Sequence, residues 1–485
     1  MKKTIQEKII EDYENVIVKA GAGRGKTTLL AKKIKYDYEE NKDHRVFAAI
    51  TFTNKAVDEI RNKVGTNNGL ISTIDSFIMQ EIVVPFIHHF YGDGYKKDRL
   101  ERDFSIQRSK YSDLLEIIKI NSKIGGYSSS LKKDFIAELA LTILQNSSIA
   151  QRYFKSKYYR IYIDEYQDLS KEQHNIFKYI NNDLNIKLFI LGDPKQNIFS
   201  WRGASSDGFN YFYDLARNFK KYELTENYRC HKNIQNFLEI FEKVDTSKLD
   251  FAYDDNVKFI PISVSIEDVL KEITKGQICI LRKEQKNAKN LSDELIDFTY
   301  IPKNKLDTYN SNYKWFTKEI LHFLLSEKSN EFNVINSIPF EISNDTVKVL
   351  KSKLKELKIS SNKYYDMKEI FIIVFPELED GEYEKEYAIF KSIVDDDSNY
   401  IIYNMHKVRN LVMTMHSSKG LEFDVVIVFA EDLVDYGKCD ENLNYVVMSR
   451  AKEKLIIYYD EKGQYLNNLF LHLGVEQKSK LRKMI

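Results

Sequence analysis

Short apolar runs recur along the chain, and turn-forming or acidic residues follow most of them. A short apolar run with turn residues at its ends is typical of a strand buried in a parallel sheet. Such runs predict strands at Val16–Val18, Val46–Ile50, Ile161–Ile163 and Leu188–Leu191.

Helical spacing follows two of the predicted strands. Leu30, Ile34 and Tyr38 lie four residues apart, which places them on one face of a helix. The stretch QICILRKEQKNAKNLSDEL has an apolar run and then a helical pattern. Strands that alternate with helices predict an α/β fold with parallel sheets.

The segment NVIVKAGAGRGKTTLLAKKI joins a predicted strand to a predicted helix through alternating glycines. Such a turn lets backbone N–H groups surround phosphates at a helix N-terminus. Lys26 can then reach the β- and γ-phosphates, and the Thr27 hydroxyl can hold Mg²⁺. Ala20 stands where the strict pattern has glycine, and a structural glycine-rich turn is the alternative. The predicted nucleotide-binding residues of this loop are Gly21, Ala22, Gly23, Arg24, Gly25, Lys26, Thr27 and Thr28.

Two carboxylates end the predicted strand of YRIYIDEYQDLS, where doubly wound sheets bind their ligands. Asp164 is suited to hold a hydrated Mg²⁺, and Glu165 to orient and deprotonate the attacking water. The alternative is a solvated strand end that carries two acidic residues.

The segment GDPKQNIFSWRGA, Gly192 to Ala204, follows another predicted strand. Gln196 can donate its amide to a γ-phosphate. Phe199, Trp201 and Arg202 are suited to bind a nucleic-acid base, because aromatic rings stack on bases. Such stacking does not depend on the base sequence. Ordinary core packing is the alternative for Trp201.

Arg229 in LTENYRC and Arg450 in NYVVMSRAKEK are distant in sequence from these motifs. Phosphoryl transfer requires positive charge over the departing phosphate, which an arginine from a second domain can supply. The catalytic set predicted from the sequence is therefore Lys26, Glu165, Gln196, Arg229 and Arg450. Surface ion pairs are the alternative for both arginines.

Composition restricts the remaining classes of function. The 485 residues suffice for about three domains. Because 73 Lys and Arg balance 72 Asp and Glu, a surface for DNA must be a local patch. Cys230, Cys279 and Cys439 form no CxxC pair, which argues against zinc, an iron–sulfur cluster and a disulfide framework. A reducing cytoplasm is expected, with neither a signal peptide nor a membrane span.

The ordered motifs resemble those of the superfamily-one DNA helicases of the UvrD/PcrA/Rep type. They are AGAGRGKTT, TFTNKAVDEI, DEYQD, GDPKQNIFSWRGA, LTENYR, MHSSKGLEFDVVIV and YVVMSRAKEK. This resemblance implies two RecA-like domains, with ATP or another NTP and Mg²⁺ between them and single-stranded DNA across them. It implies that Gln6 reads the adenine, Tyr228 stacks on the base, and Glu422 lies near the ribose. By the same resemblance, the DNA-binding residues are Phe52, Thr53, Asn54, Phe199, Trp201, Arg202, Thr414 and His416.

The resemblance also predicts the domain boundaries. The first RecA-like domain is expected at residues 1–85 and 150–222, around a small 1B-like insertion at residues 86–149. The second is expected at residues 223–301 and 405–485, around a reduced, mainly helical 2B-like insertion at residues 302–404.

The chain is closer still to the B subunits of the Gabija antiviral systems, in its length and in the phrases IYIDEYQD and KLFILGDPKQ. This implies an NTP-hydrolysing translocase, 3′→5′ by resemblance, that acts on single-stranded DNA or DNA ends. The implied partner is an A subunit, an OLD-family ATPase–nuclease, in a hetero-oligomer. A free-standing DNA-repair helicase and a nucleotide-switched scaffold with little turnover are the alternatives.

An acidic segment in the second insertion, Pro376–Tyr387, has six acidic residues and one lysine. Such a segment repels the DNA backbone. It is either a solvated face or a contact for the protein partner.

Five residues separate Gln196 from Trp201, a span of at most about 18 Å. A shift at Gln196 when the γ-phosphate leaves should therefore reach Phe199 and Trp201. We expect Trp201→Ala to weaken the stimulation of NTP hydrolysis by DNA while nucleotide binding survives. Steady-state turnover with and without single-stranded DNA measures this, and normal stimulation in the variant would contradict it.

Overall fold

The computed structural model describes most of the chain. The described residues are 3–65, 68–92, 101–102, 123–124, 127–128, 133–200, 203–242, 256–309, 311, 313–338, 342–396, 398–435, 438–471, 473, 478–479 and 481–482. They form two compact units, one of Met1–Gly276 with Ser418–Ile485 and the other of Gln277–Ser417.

The strands are numbered in chain order within these described ranges. They are β1 Asn15–Ala20, β2 Val46–Thr51, β3 Gly69–Thr73, β4 Glu101–Arg102, β5 Lys123–Ile124, β6 Tyr127–Ser128, β7 Lys133–Asp134, β8 Tyr158–Ile163, β9 Lys187–Gly192, β10 Phe219–Leu224, β11 Val257–Pro261, β12 Ile278–Arg282, β13 Thr299–Tyr300, β14 Asn410–Thr414, β15 Phe423–Phe429, β16 Val434–Asp435, β17 Lys438–Cys439 and β18 Ala451–Tyr459.

The α-helices are numbered in the same way. They are α1 Ile5–Glu11, α2 Lys26–Glu40, α3 Asn54–Val64, α4 Ile74–Phe77, α5 Val84–Tyr91, α6 Phe135–Asn146, α7 Ser148–Lys157, α8 Lys171–Asn182, α9 Asp207–Asn210, α10 Lys232–Glu242, α11 Ile266–Lys271, α12 Gln285–Glu294, α13 Lys305–Thr308, α14 Lys314–Leu325, α15 Glu331–Ser337, α16 Asn344–Ile359, α17 Lys363–Val374, α18 Asp380–Val394, α19 Ser398–Tyr403, α20 Glu441–Met448 and α21 Tyr465–Leu471.

Two π-helical segments and several 3₁₀ turns also lie within the described residues. The π-helical segments are Ile78–Val83 and Tyr211–Leu215, and the 3₁₀ turns are Tyr166–Asp168, Pro194–Gln196, Met405–Lys407, His416–Ser418 and Ala430–Leu433. None of the helices described here is both long and apolar enough to cross a membrane.

A six-stranded sheet forms the centre of the first unit, in the order β10-β1-β9-β8-β2-β3. All five neighbouring pairs are parallel. Both faces are buried: Ile17 and Ile161 point into one hydrophobic cluster, and Val18 and Tyr162 into another. This burial on both sides explains why the strands appear in the sequence as continuous apolar runs.

The parallel arrangement of the strands determines where the candidate functional residues of this unit lie. The segments after β1, β2, β8, β9 and β10 all leave the same edge of the sheet, because parallel strands share the position of their carboxyl ends. The glycine-rich loop, the Asp164–Glu165 pair and the turn containing Gln196 therefore lie at one edge.

The first unit also contains three parallel strands from the second half of the chain. β18 pairs with β11 on one side and with β15 on the other. Helix α20 immediately precedes β18, and Ser449 and Arg450 lie in the turn between them. This arrangement places Arg450 at the start of a buried strand.

The second unit combines a short parallel sheet with a helical insertion. β14 pairs with β12 and β13, and helices α13 to α19 follow β13 in the chain. The predicted strand and helix of QICILRKEQKNAKNLSDEL are β12 and α12. The helices share a core that includes Phe316, Leu354, Phe371 and Phe390. They fall within residues 302–404, and their identity as a 2B-like subdomain stays a prediction.

The acidic segment Pro376–Tyr387 is not a uniformly solvated face. Tyr383 and Glu386 are buried on α18. The Glu386 carboxylate accepts hydrogen bonds from the hydroxyl groups of Tyr309, Ser311 and Thr317. Burial raises the pKa of Glu386. Glu386 therefore belongs to the helical core, whereas Glu377, Glu379, Asp380 and Glu384 are exposed. Whether these exposed groups form a solvated face or a contact for the partner stays a prediction.

Candidate functional site

The glycine-rich loop between β1 and α2 requires glycine for conformation and for space. Gly23 and Gly25 have φ angles of 72° and 78°, in the left-handed region that favours glycine. A Cβ atom on Gly23 would lie 2.6 Å from the Asn227 side chain, and one on Gly21 would lie 2.7 Å from the Tyr445 hydroxyl. The loop is therefore packed closely against two other segments of the same unit.

Lys26 begins α2 and is turned towards the carboxylate pair. Its Nζ donates to the Ala20 carbonyl at 3.2 Å and lies 3.7 Å from Oε1 of Glu165. Ala20 is the departure from the strict glycine pattern, and it contributes a backbone carbonyl that any residue has. Thr27 and Thr28 follow in the first turn of the helix, and Thr28 accepts a hydrogen bond from Lys63 at 3.3 Å.

Asp164 and Glu165 leave the end of β8 in different electrostatic environments. Asp164 is 4% exposed, and burial together with the adjacent Glu165 raises its pKa. Burial acts in the same direction on Glu165, but the charges of Lys26 and Lys419 outweigh it and lower the pKa of Glu165. Glu165 therefore stays ionised, as a base for water must. The buried Asp164 carboxylate and the Thr27 hydroxyl are oxygen donors of the kind that Mg²⁺ prefers.

A chain of hydrogen bonds runs from Glu165 to Gln196. The Gln167 amide donates to Glu165 at 2.5 Å, and its carbonyl accepts from the Asp193 backbone N–H at 2.9 Å. The Gln196 amide then donates to the Asp193 carboxylate at 2.7 Å. The structure thus connects the predicted water-activating residue with the predicted γ-phosphate sensor through two side chains that the sequence did not single out.

Lys419 is the most important residue that the sequence analysis missed. Its Nζ lies 2.5 Å from Oδ2 of Asp168 and donates to the Gln196 carbonyl at 3.1 Å. The same ammonium lies 4.6 Å from the centre of the Phe199 ring, within cation–π range. Its position in the motif SSKGLEF could have drawn attention to Lys419. The sequence does not show, however, which groups surround a lysine.

The predicted base-binding residues Gln6 and Tyr228 lie together beside the loop. The Gln6 amide lies 3.4 Å from the Tyr228 hydroxyl, which donates to Glu226 at 2.5 Å. The Tyr228 backbone N–H donates to the Gly23 carbonyl at 2.9 Å. Tyr228 is 64% exposed, so its ring is free to stack on a ligand.

The two predicted arginine fingers are near neighbours held by different partners. Nη2 of Arg229 lies 2.6 Å from Glu422, and its Nε is a buried donor without an acceptor among the described residues. Arg450 is 2% exposed, and its Nε donates to the Val446 carbonyl at 2.8 Å. Burial and the neighbouring Arg229 lower the pKa of Arg450 to about 10. Glu422, expected near the ribose, is paired with Arg229.

Two of the predicted DNA-binding residues contact each other. The rings of Phe52 and Phe199 stack at 5.3 Å with an interplanar angle of 19°. Thr53 caps α3 by accepting a hydrogen bond from the Ala56 N–H at 3.2 Å. This uses the Thr53 hydroxyl to start the helix.

The remaining predicted DNA-binding residues are Asn54, Trp201, Arg202, Thr414 and His416. Trp201, Arg202 and the Asn54 side chain lie outside the described residues. Thr414 and His416 belong to the second unit, where the Thr414 hydroxyl is 2.7 Å from that of Ser417. Contact of these residues with DNA stays a prediction.

Comparison with known proteins gives a consistent family. A model of the UvrD/REP helicase N-terminal domain matches residues 2–134 and 109–217, and a model of the UvrD-like helicase C-terminal domain matches residues 411–458. These matches and the parallel sheets confirm the predicted fold class, an α/β fold with two RecA-like P-loop domains.

Relatives of different lengths match the chain. Gabija protein GajB of Bacillus cereus is 35% identical over 97% of this chain and 98% of its own length. The ATP-dependent DNA helicase Rep of Buchnera aphidicola is 24% identical over 94% of this chain and 92% of its own. The ATP-dependent DNA helicase PcrA of Staphylococcus epidermidis is 28% identical over 46% of this chain and 37% of its own. The chain therefore belongs to the UvrD/Rep helicase family and is an NTP hydrolase of that class.

Proposed function

We propose that this enzyme is a DNA-dependent translocase that hydrolyses ATP or a related NTP on single-stranded DNA or DNA ends. The observation that carries this proposal is the continuous set of contacts from Lys26 and Glu165, through Gln196, to Lys419 and Phe199. Because these contacts join the nucleotide site to an aromatic surface, a structural change at one can alter the other during turnover. By resemblance, movement along DNA is 3′→5′.

In this proposal, each residue at the sheet edge has a separate task. Lys26 binds the β- and γ-phosphates, and the loop amides surround them. Asp164 and Thr27 hold Mg²⁺, which neutralises phosphate charge when bound. Glu165 is kept ionised by Lys26 and Lys419, so it can accept a proton from the attacking water.

Residues from other segments complete the catalytic set. Gln196 contacts the γ-phosphate and registers its departure. Arg229, whose Nε already lacks an acceptor among the described residues, exchanges Glu422 for the phosphate. Arg450 adds positive charge next to Arg229. A charged group over the departing phosphate lowers the barrier to phosphoryl transfer.

Glu165→Gln tests the assignment of the base. The amide keeps the size and the hydrogen-bonding oxygen but cannot take a proton, so we expect kcat with saturating DNA to fall by about 10²–10⁴-fold. Nucleotide affinity, measured by titration with a fluorescent ATP analogue, should stay within a few-fold of the unmodified protein.

Two further variants complete this experiment. Glu14→Gln makes the same change at an exposed position and should leave kcat unaltered. Lys26→Ala should lose nucleotide affinity as well as turnover. A near-normal kcat in Glu165→Gln would contradict the assignment of Glu165 as the base. Negligible turnover in the unmodified protein, with and without DNA, would instead favour the alternative of a nucleotide-switched scaffold.

We further propose that Lys419 transmits the state of the nucleotide site to the DNA surface. The ammonium contacts the Asp168 carboxylate, the carbonyl of the Gln196 sensor and the Phe199 ring together. A displacement of the Gln196 carbonyl would shift the Lys419 ammonium, and this shift would alter the cation–π contact between Lys419 and Phe199. Phe199 in turn stacks on Phe52, so the paired rings move as one surface.

The biological context we propose is a complex in the reducing cytoplasm that defends against phage. Its support is the near full-length similarity to Gabija protein GajB. The expected partner is an OLD-family ATPase–nuclease A subunit, which the translocase activates or assists in a hetero-oligomer. A free-standing DNA-repair helicase is the alternative, supported by the similarity to Rep over 94% of the chain.

The exposed part of the acidic segment provides a test of the partner surface. Glu377 and Glu379 are exposed, unlike Glu386, so replacing both with lysine reverses the charge without disturbing the helical core. We expect the Glu377→Lys and Glu379→Lys double variant to lose co-purification with an A subunit encoded beside this chain. Its NTPase activity without the partner should be unchanged.

The matched control reverses two acidic residues on the first unit. Glu39 and Glu40 are exposed near the end of α2, and their replacement with lysine should leave assembly intact. Equal assembly in both double variants would exclude the acidic segment as the contact. Failure of the unmodified chain to bind any such nuclease would favour the free-standing helicase.

A further inference from the structure

A completely buried lysine lies behind the nucleotide site, on the opposite side of α2 from solvent. Lys33 is 0% exposed. Its ammonium group donates to the carbonyls of Ile10 and Asp12, each at 2.8 Å, and to Oδ1 of Asp37 at 2.6 Å. All three N–H donors of the ammonium are therefore used, and two of them hold the segment that ends α1.

A buried arginine holds the same segment from the central sheet. Arg160 lies on β8, and its guanidinium donates to the carbonyls of Asp12, at 3.3 Å, and of Tyr13. It also lies 3.2 Å from Oδ2 of Asp37. The Tyr162 hydroxyl donates to the same carboxylate oxygen at 2.5 Å. Asp37 thus neutralises two cations that together hold three carbonyls at the end of α1, those of Ile10, Asp12 and Tyr13.

The ionic network of Lys33, Asp37 and Arg160 holds a short helix at a cost in free energy, because its charged groups are buried. Burial opposes the charge on Lys33 and lowers its pKa to about 8. Buried ion pairs seldom stabilise a fold more than well-packed apolar residues of the same volume would. What they provide instead is directional contact, which fixes a helix in rotation and along its axis.

The helix that the network holds carries Gln6. α1 has seven residues, too few to keep a fixed orientation without tertiary contacts. Gln6 lies one turn, about 6 Å along the axis, before Ile10. A small rotation of α1 at the anchored carbonyls would therefore carry the Gln6 amide away from Tyr228, which it approaches at 3.4 Å.

We propose that Lys33, Asp37 and Arg160 are positioning residues for nucleotide selection, which hold α1 so that Gln6 presents its amide to the base beside Tyr228. This inference rests on the proposed role of Gln6 in reading the base. It predicts that the network controls discrimination between nucleoside triphosphates rather than the chemical step. The same residues join α1 to α2 and to β8, which carry Lys26 and Asp164 at their ends facing the site.

The test is a double-mutant cycle between Gln6→Ala and Lys33→Met, with kcat/KM measured for ATP and for CTP in saturating single-stranded DNA. We expect each single variant to reduce the ratio of the two kcat/KM values about tenfold, the loss of about one hydrogen bond. The double variant should lose no more than either single variant, because both remove the same interaction. In the Lys33→Met single variant, the kcat for ATP should stay within about twofold.

A control on the same helix separates positioning from general damage. Lys35 is exposed on α2, and Lys35→Met should leave the ratio unchanged. If Lys33→Met does not fold, as judged by circular dichroism, Arg160→Lys replaces it. A lysine there retains the charge beside Asp37 but lacks the two separate Nη groups that donate to the Asp12 and Tyr13 carbonyls, so the same loss of discrimination is expected.

Two results would overturn the inference while leaving the proposed function intact. One is a double variant whose loss of discrimination is the product of the two single losses. The other is a Lys33→Met or Arg160→Lys variant in which kcat/KM for ATP and CTP fall equally, the sign of a purely structural role. Absence of NTP turnover in the unmodified protein would refute the proposed function instead.

Discussion

The ammonium group of Lys419 is the contact on which the link between the two halves of the site depends. Asp168 is buried and ion-paired with it at 2.5 Å, and its Oδ1 has no hydrogen-bond donor among the described residues. Burial raises the pKa of Asp168 to about 6, although Lys419 opposes this shift. The ion pair therefore holds Lys419 in place, between the Gln196 carbonyl and the Phe199 ring.

The parallel sheet makes this convergence possible, and the sequence reveals that part well. Continuous apolar runs predicted the strands correctly, because a strand buried on both faces has few polar positions. The glycine spacing before Lys26 predicted a loop whose φ angles and close contacts do require glycine. The order of motifs then identified the family, which the comparisons confirm.

Buried polar groups were the part that the sequence could not reveal. Lys33 and Glu386 occur in charged stretches that resemble solvated surface, and each is held by partners distant in the chain. The side chain of Lys419 is 15% exposed, and it is also held by distant partners. A charged residue becomes a buried one only when its counter-ion and its hydrogen-bonding groups arrive from other elements. The periodicity of the sequence shows only which positions are apolar, so it does not predict which charged residues are enclosed by such partners.

The arginines raise a related point about the catalytic cycle. Arg229 is paired with Glu422, and Arg450 donates to the Val446 carbonyl. A nucleotide that recruits Arg229 must compete with Glu422, so nucleotide binding and rearrangement around Arg229 are linked in our account. Breaking the ion pair costs free energy, and only contacts of Arg229 that are stronger in the transition state than in the ground state would accelerate turnover.

The most direct test of the account is NTP turnover by Lys419→Met, with and without single-stranded DNA. Lys462→Met, an exposed position on the same unit, is the control. If Lys419 couples the Gln196 sensor to the Phe199 surface, the variant should retain its KM for ATP without DNA, within about twofold. It should lose most of the stimulation by DNA, about tenfold or more, because the buried Asp168 carboxylate is left without its partner. Stimulation equal to that of the control would contradict the central claim.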